Sequence, residues 1–253
     1  MRRFLSILAL AGLALCFWNS TVHAELTYTL VPAKIQVLII TGDDVDVHRW
    51  KETTPAIRKI LVDSRKFDVQ VSEDLKPLES AETLKAYDVL LLNRFNRKAP
   101  LSDAAKQNLL DFVRGGKGLF VEHFSSASFP DWDEFGKLCG RHWVMGKSGH
   151  GPRAVFTAKI TAEKHPITAG LKDFQADDEL YAKLQGTEPI NVLVEADSPW
   201  SKKTEPLLFW LPYGQGRVVH SAFGHDTKAI ATPEVTTIIL RGVEWAAKGK
   251  VTK

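Results

Sequence analysis

Cysteine is nearly absent from this chain of 253 residues: Cys16 and Cys139 are the two it has. Cys16 falls in an N-terminal segment that reads as removable, which leaves one thiol and excludes an intramolecular disulfide in the mature protein. No Cys-x-x-Cys pair is present, so a zinc site built on such pairs and Cys-x-x-Cys redox chemistry are excluded as well. An excess of one charge is also missing. Lys and Arg number 33 against 30 Asp and Glu, and no basic run or stripe marks a nucleic-acid face. Beyond residue 18 there is no apolar run near the 20 residues that a membrane span needs. A Gly-x-Ser-x-Gly elbow, a phosphate-binding Gly-rich loop with Lys-Ser/Thr, and a His-Glu-x-x-His helix are absent.

The first 24 residues carry Arg2 and Arg3, an apolar stretch over 4–18, and Val22-His23-Ala24 before Glu25. This is the pattern of a secretory signal peptide. Leu15 stands where a lipoprotein signal has a small residue before its cysteine, which argues against a lipid anchor. The expected mature protein is one domain, 25–253, periplasmic or secreted. Losing Arg2 and Arg3 with no acidic residue leaves it almost neutral.

Buried-strand patterns recur through the first half. Residues 34–40 form an Ile- and Val-rich run, 67–71 alternate, 87–93 are a second apolar run, and 118–122 follow the Gly115-Gly116 turn. Helical patterns separate them. Thr54 and Pro55 read as the cap and first residue of one helix, and Ser102 as the cap of another. This β-α-β-α-β-α-β order predicts an α/β fold with a doubly wound, mostly parallel sheet. An irregular insertion follows the fourth strand. A strand over 154–160, another near 191–195, a C-terminal β-hairpin over 206–223 and a last helix from Thr232-Pro233 to about 247 complete the expectation.

Ligands of such sheets bind outside the carboxyl ends of the strands, so histidines there are the candidates for chemistry. His48 follows the first strand, His123 ends the fourth, and His150 lies between Gly149 and Gly151. His225 stands in Gly224-His225-Asp226 after the last strand. His220 reads as core, His165 as a turn residue before Pro166, His142 as surface, and Cys139 as a packed thiol. The acidic group Asp177-Asp178-Glu179 has two readings, a helix N-terminus or a carboxylate that serves as general base or metal ligand. Trp50, Trp143 and Tyr181 are aromatic rings that either pack in the core or wall a sugar site.

Taken together, the motifs resemble the ThuA-like (trehalose utilisation) family. They are Val37-Leu38-Ile39-Ile40-Thr41-Gly42, His48, Trp50, Gly116-Lys117-Gly118-Leu119-Phe120-Val121-Glu122-His123-Phe124, Trp143 and Gly149-His150-Gly151. His165-Pro166-Ile167-Thr168, Asp178-Glu179-Leu180-Tyr181, Gly214-Gln215-Gly216-Arg217-Val218, Gly224-His225-Asp226 and Glu244-Trp245-Ala246 follow, so the resemblance runs from about residue 34 to 247. It implies a flavodoxin-like fold similar to class I glutamine amidotransferases. Those enzymes keep a cysteine nucleophile where this chain has Glu122-His123-Phe124, which argues against amidotransferase chemistry. A link to disaccharides and keto-sugars is implied too, with a small-molecule carbohydrate as partner. Glu122 departs from an expected apolar residue, and buried there it needs a partner. The expectation is a hydrolase or lyase with His123, Glu179 and His225 as catalytic residues and Trp50, Trp143 and Tyr181 on the sugar. A divalent metal ion would take ligands from His48, His123, His150, His225 and Asp226, and the alternative without a metal uses one histidine as general base near neutral pH. The rival reading is a non-catalytic sugar-binding module.

Overall fold

The structure is a computed structural model, and the residues it describes are 33–43, 47–95 and 101–252. The expected signal segment 1–24 lies outside them. Nine strands form one sheet in the order β2-β1-β3-β4-β11-β10-β9-β6-β7. Its parallel part is β1 (Ile35–Gly42), β2 (Phe67–Ser72), β3 (Val89–Arg94), β4 (Gly118–Glu122) and β11 (Gly216–Ser221). Leaving out the insertion between β4 and β11, this is the 2-1-3-4-5 order of flavodoxin-like folds.

Alternation along the strands sorts side chains to two faces. Val37, Ile39, Leu91, Phe120 and Val219 join one core, and Leu38, Ile40, Leu90, Leu92, Leu119, Val121 and Val218 join the other. Helices α1 (Trp50–Asp63) and, at the C-terminus, α6 (Pro233–Lys248) cover the first face with Ile57, Leu61, Val235, Ile238 and Ile239. The second is covered by α2 (Ala81–Lys85), α3 (Asp103–Arg114) and α4 (Asp133–Cys139), through Leu84, Leu109, Leu110 and Leu138. The sheet is therefore doubly wound and buried on both faces, which is why these strands read as continuous apolar runs.

The insertion supplies β5 (Gly149–His150), β6 (Ala154–Ile160), β7 (Phe174–Asp178), β8 (Tyr181–Ala182), β9 (Asn191–Ser198) and β10 (Lys203–Tyr213). Strands β10 and β11 form the expected hairpin, and β5 pairs with β8 outside the main sheet. Only Lys159 and Ile160 of β6 pair with β9. The β6–β7 hairpin is thus free to turn away, and its end at Asp178 reaches back to residues 224 and 225.

Three local expectations are corrected. The first helix starts at Trp50, not at Thr54, and holds Pro55 inside it. Thr54 caps nothing; its hydroxyl meets Thr41 Oγ1 at 2.7 Å and accepts from Asn93 Nδ2 at 2.8 Å, so strand-end hydrogen bonds claim it. Asp177-Asp178-Glu179 is not a helix N-terminus: Phe174, Ala176 and Asp178 alternate inward along β7. His142 is not simply surface, since it is half-buried against Gly136 and its backbone bridges Gln185. His220 and Cys139 are fully buried as expected. Burial pushes the Cys139 thiol up and lowers His220 to about 4.

Candidate metal centre

The residues that converge come from four separate parts of the chain. His48 follows β1, His123 follows β4 directly, Glu179 follows β7, and His225 follows β11 and precedes the short helix α5 (Thr227–Ile230). One ligand atom from each lies within 4.8 Å of all the others. His48 Nε2 and His123 Nε2 are 3.2 Å apart. Glu179 Oε2 lies 3.2 Å from His225 Nδ1, 3.6 Å from His123 Nε2 and 3.8 Å from His48 Nε2. Donors bound at zinc-like lengths of about 2.0–2.1 Å in a tetrahedron stand roughly 3.3 Å from one another, so the spacing suits a common ion.

The hydrogen bonding points the same way. His123 has φ of +44°, a left-handed conformation that is uncommon outside glycine and turns the ring off the strand end. Its Nδ1 is 2.8 Å from the Ala222 carbonyl, which makes Nδ1 the donor and leaves the lone pair on Nε2, the atom that faces His48 and Tyr181. Glu179 Oε2 and His225 Nδ1 are buried and make no hydrogen bond, although they face each other as an ion pair at 3.2 Å. Buried polar atoms left without partners are costly, and an ion among them would satisfy both. The donor set, three imidazoles and one carboxylate, fits zinc or another first-row divalent metal.

Electrostatics adds to the fit. Burial, with His123 and His225 nearby, lowers His48 to about 4, so it is a neutral lone-pair donor. Burial alone would raise Glu179, but His123, His225 and His48 outweigh it and hold the carboxyl well below its usual range. His225 is raised, chiefly by Glu179. Burial and the neighbouring Asp178 push Glu122 well above the usual carboxyl range. The expected partner of Glu122 is absent among the described residues: both oxygens are buried without a hydrogen bond, against Gly224.

The other candidates take different places. His150 stands beside the four donors, with Nε2 3.5 Å from Glu179 Oε1. Asp226 is not one of them. Its carboxylate pairs with Arg153 and caps α5 at the Ala229 N–H, so it is already spent. Tyr181 is 1 % exposed and is no open wall; its hydroxyl lies 2.8 Å from His123 Nε2 and 3.3 Å from His48 Nε2. Trp143 is half-buried and packs on Phe124, Tyr181 and His150. Trp50 lines a cleft with Gly42, Asn93, Arg94, His48 and His123, its indole N–H buried and unpartnered. Sequence reasoning missed Phe124, which stacks on His48 at 4.2 Å between ring centroids, and it held Asp178 in the acidic group without separating its place from that of Glu179. The inward alternation of β7 was the signal that could have marked Asp178.

The family model for ThuA, described as trehalose utilisation, matches residues 36–246. The chain belongs to the ThuA family. A ThuA-like protein of Parabacteroides merdae is 26% identical, with a TM-score of 0.77 over 87% of this chain and 92% of that one. A ThuA-like protein of Bacteroides uniformis is 17% identical, with a TM-score of 0.68 over 88% and 98%. A cytoplasmic protein of Salmonella typhimurium is 16% identical, with a TM-score of 0.62 over 85% and 100%. The last two share the fold. No functionally curated protein sequence matches the chain. ThuA membership carries a sugar-related role, and the four-donor group occupies the strand-end crevice of this fold. Among the described residues no helix is long and apolar enough to cross a membrane.

Proposed function

We propose that this ThuA protein is an exported, metal-dependent hydrolase or lyase that acts on a disaccharide or keto-sugar. The observation that carries the reading is the convergence of His48, His123, His225 and Glu179, with Glu179 Oε2 and His225 Nδ1 buried and without hydrogen bonds. A divalent ion held by these residues would act as a Lewis acid on a carbonyl or hydroxyl oxygen. The chain's own groups would orient and move protons around it. The Ala222 carbonyl holds the His123 tautomer, and the Tyr181 O–H, kept protonated by burial, stands beside both histidine Nε2 atoms, where it would donate to an oxygen bound next to them. His150, which Glu179 faces from its second oxygen and whose side chain is more exposed than those of the other three histidines, would serve as the base or acid. Trp143, which meets Phe124 edge to face and is only half-buried, would supply an apolar ring to a sugar face.

Metal analysis of the purified chain, followed by mass-spectrometric assay of disaccharides and their keto derivatives, tests this. The expected result is one divalent ion per chain and turnover that chelation abolishes and metal restores. Sugar binding without turnover, indifferent to chelation, sinks the enzyme reading in favour of a binding module. Export rests on Arg2, Arg3 and the apolar stretch 4–18. The mass of the mature protein should correspond to a chain starting at about Glu25; a full-length chain recovered from the cytoplasm overturns it.

A further inference from the structure

The centre needs two donors brought together from distant parts of the chain, Glu179 at the end of β7 and His225 after β11. One side chain lies between them. Asp178 is 1 % exposed. Its Oδ2 accepts from the Gly224 N–H at 2.7 Å, and its Oδ1 accepts from the Glu179 N–H at 2.8 Å and the His225 N–H at 3.2 Å. A single buried carboxylate therefore holds the backbone of both residues and of the glycine before His225. Both of its oxygens are occupied by N–H groups, and it is outside the four-donor group. Its hydrogen bonds to Glu179 and His225 are made to their backbones.

The geometry around it is built for that contact. Gly224 has φ of +109°, and a side chain there would collide with Glu122 Oε1. Only glycine lets the turn present two successive N–H groups to one carboxylate. Farther out, Arg153 pairs with Asp177 of β7 and with Asp226, without touching Asp178, Glu179 or His225 through any hydrogen bond or ion pair among the described residues.

We infer that Asp178 is a positioning residue of the metal centre, setting the separation of Glu179 and His225 by holding their backbones. Charge-assisted N–H bonds to a carboxylate are among the stronger ones, and outer-shell contacts of this kind are worth about 10–100-fold in metal affinity. The inference rests on the proposed metal centre.

Zinc affinity of the full chain, measured by competition with a chromophoric chelator, tests it on wild type, Asp178→Asn and Asp177→Asn. The visible spectrum of the cobalt-substituted proteins reports the ligand set. Asp178→Asn should bind zinc about 10–100-fold more weakly and show altered cobalt bands, with far-UV circular dichroism retained. Asp177→Asn, which removes a carboxylate of the outer Arg153 pairing, should keep the wild-type spectrum. Wild-type affinity and spectrum in Asp178→Asn overturn the positioning role and leave the centre standing. A wild type that binds no zinc overturns the centre and this inference with it. Should Asp178→Asn not fold, hydrogen exchange on the wild type decides: the Gly224 and His225 amides must be protected, and fast exchange at both overturns the assignment.

Discussion

At the residue scale, His123 joins two demands that seldom coincide. It ends a fully buried strand, and its backbone is left-handed at φ +44° while its ring meets Tyr181 and the other donors. Asparagine tolerates that backbone far better than a β-branched residue does. His123→Asn should therefore fold, with zinc affinity down at least about tenfold, as isothermal titration would show; undiminished affinity would remove His123 from the ligand set. His123 and His225 were legible in the sequence because each follows a glycine-led apolar run. Tyr181 was misread as a wall, because nothing in its local sequence tells a ring that faces solvent from one that faces an imidazole. Asp226 was misread for a similar reason. Its neighbour in space, Arg153, lies 73 residues away.

At the scale of elements, the sheet is held at its other end by Asp88, just before β3. Its Oδ2 accepts from the Gln36 N–H at 3.0 Å, and Lys248 of α6 lies 3.1 Å from Oδ1. Burial pushes its pKa up, but the Gln36 N–H, Lys248 and Lys117 outweigh this and hold it below the ordinary value. A carboxyl depressed in the folded state stabilises above its unfolded pKa of about 3.9, and this is lost as pH falls through the folded value. Asp88→Asn keeps an acceptor and loses the charge. Chemical denaturation should show a cost of about 1 kcal/mol at pH 7, reduced by solvent screening of the lysines, and little difference near pH 2. A cost that does not change with pH would mean the charge is irrelevant there. The helices and parallel strands were readable from period and caps, as with Ser102, whose hydroxyl accepts from the Ala105 N–H. The start of α1 was not, because the hydrogen bonds that occupy Thr54 cross to β1 and β3.

At the scale of the whole molecule, the proposed centre ties the parallel half of the sheet to the insertion, since Glu179 comes from one and the three histidines from the loop and strand ends of the other. A ligand that binds the folded chain alone stabilises it by about 2.7 kcal/mol at a hundred times its dissociation constant, and each kcal/mol is worth roughly 2–4 °C for a chain of this size. Thermal unfolding should therefore shift upward by several degrees at zinc a hundred times the wild-type dissociation constant, and His123→Asn should shift no more than about half as far; an equal shift in both would place the zinc elsewhere. The sequence by itself determined the fold class, because buried parallel strands must be apolar on both faces and their helices must carry a matching stripe. It also determined which histidines stand at the ligand edge, because strand order and glycine turns are local. Only the tertiary structure decided which carboxylate joins them. The β6–β7 hairpin leaves β9 after two pairs and returns Asp178 and Glu179 to the turn at Gly224, and that path depends on long-range packing that no local pattern encodes.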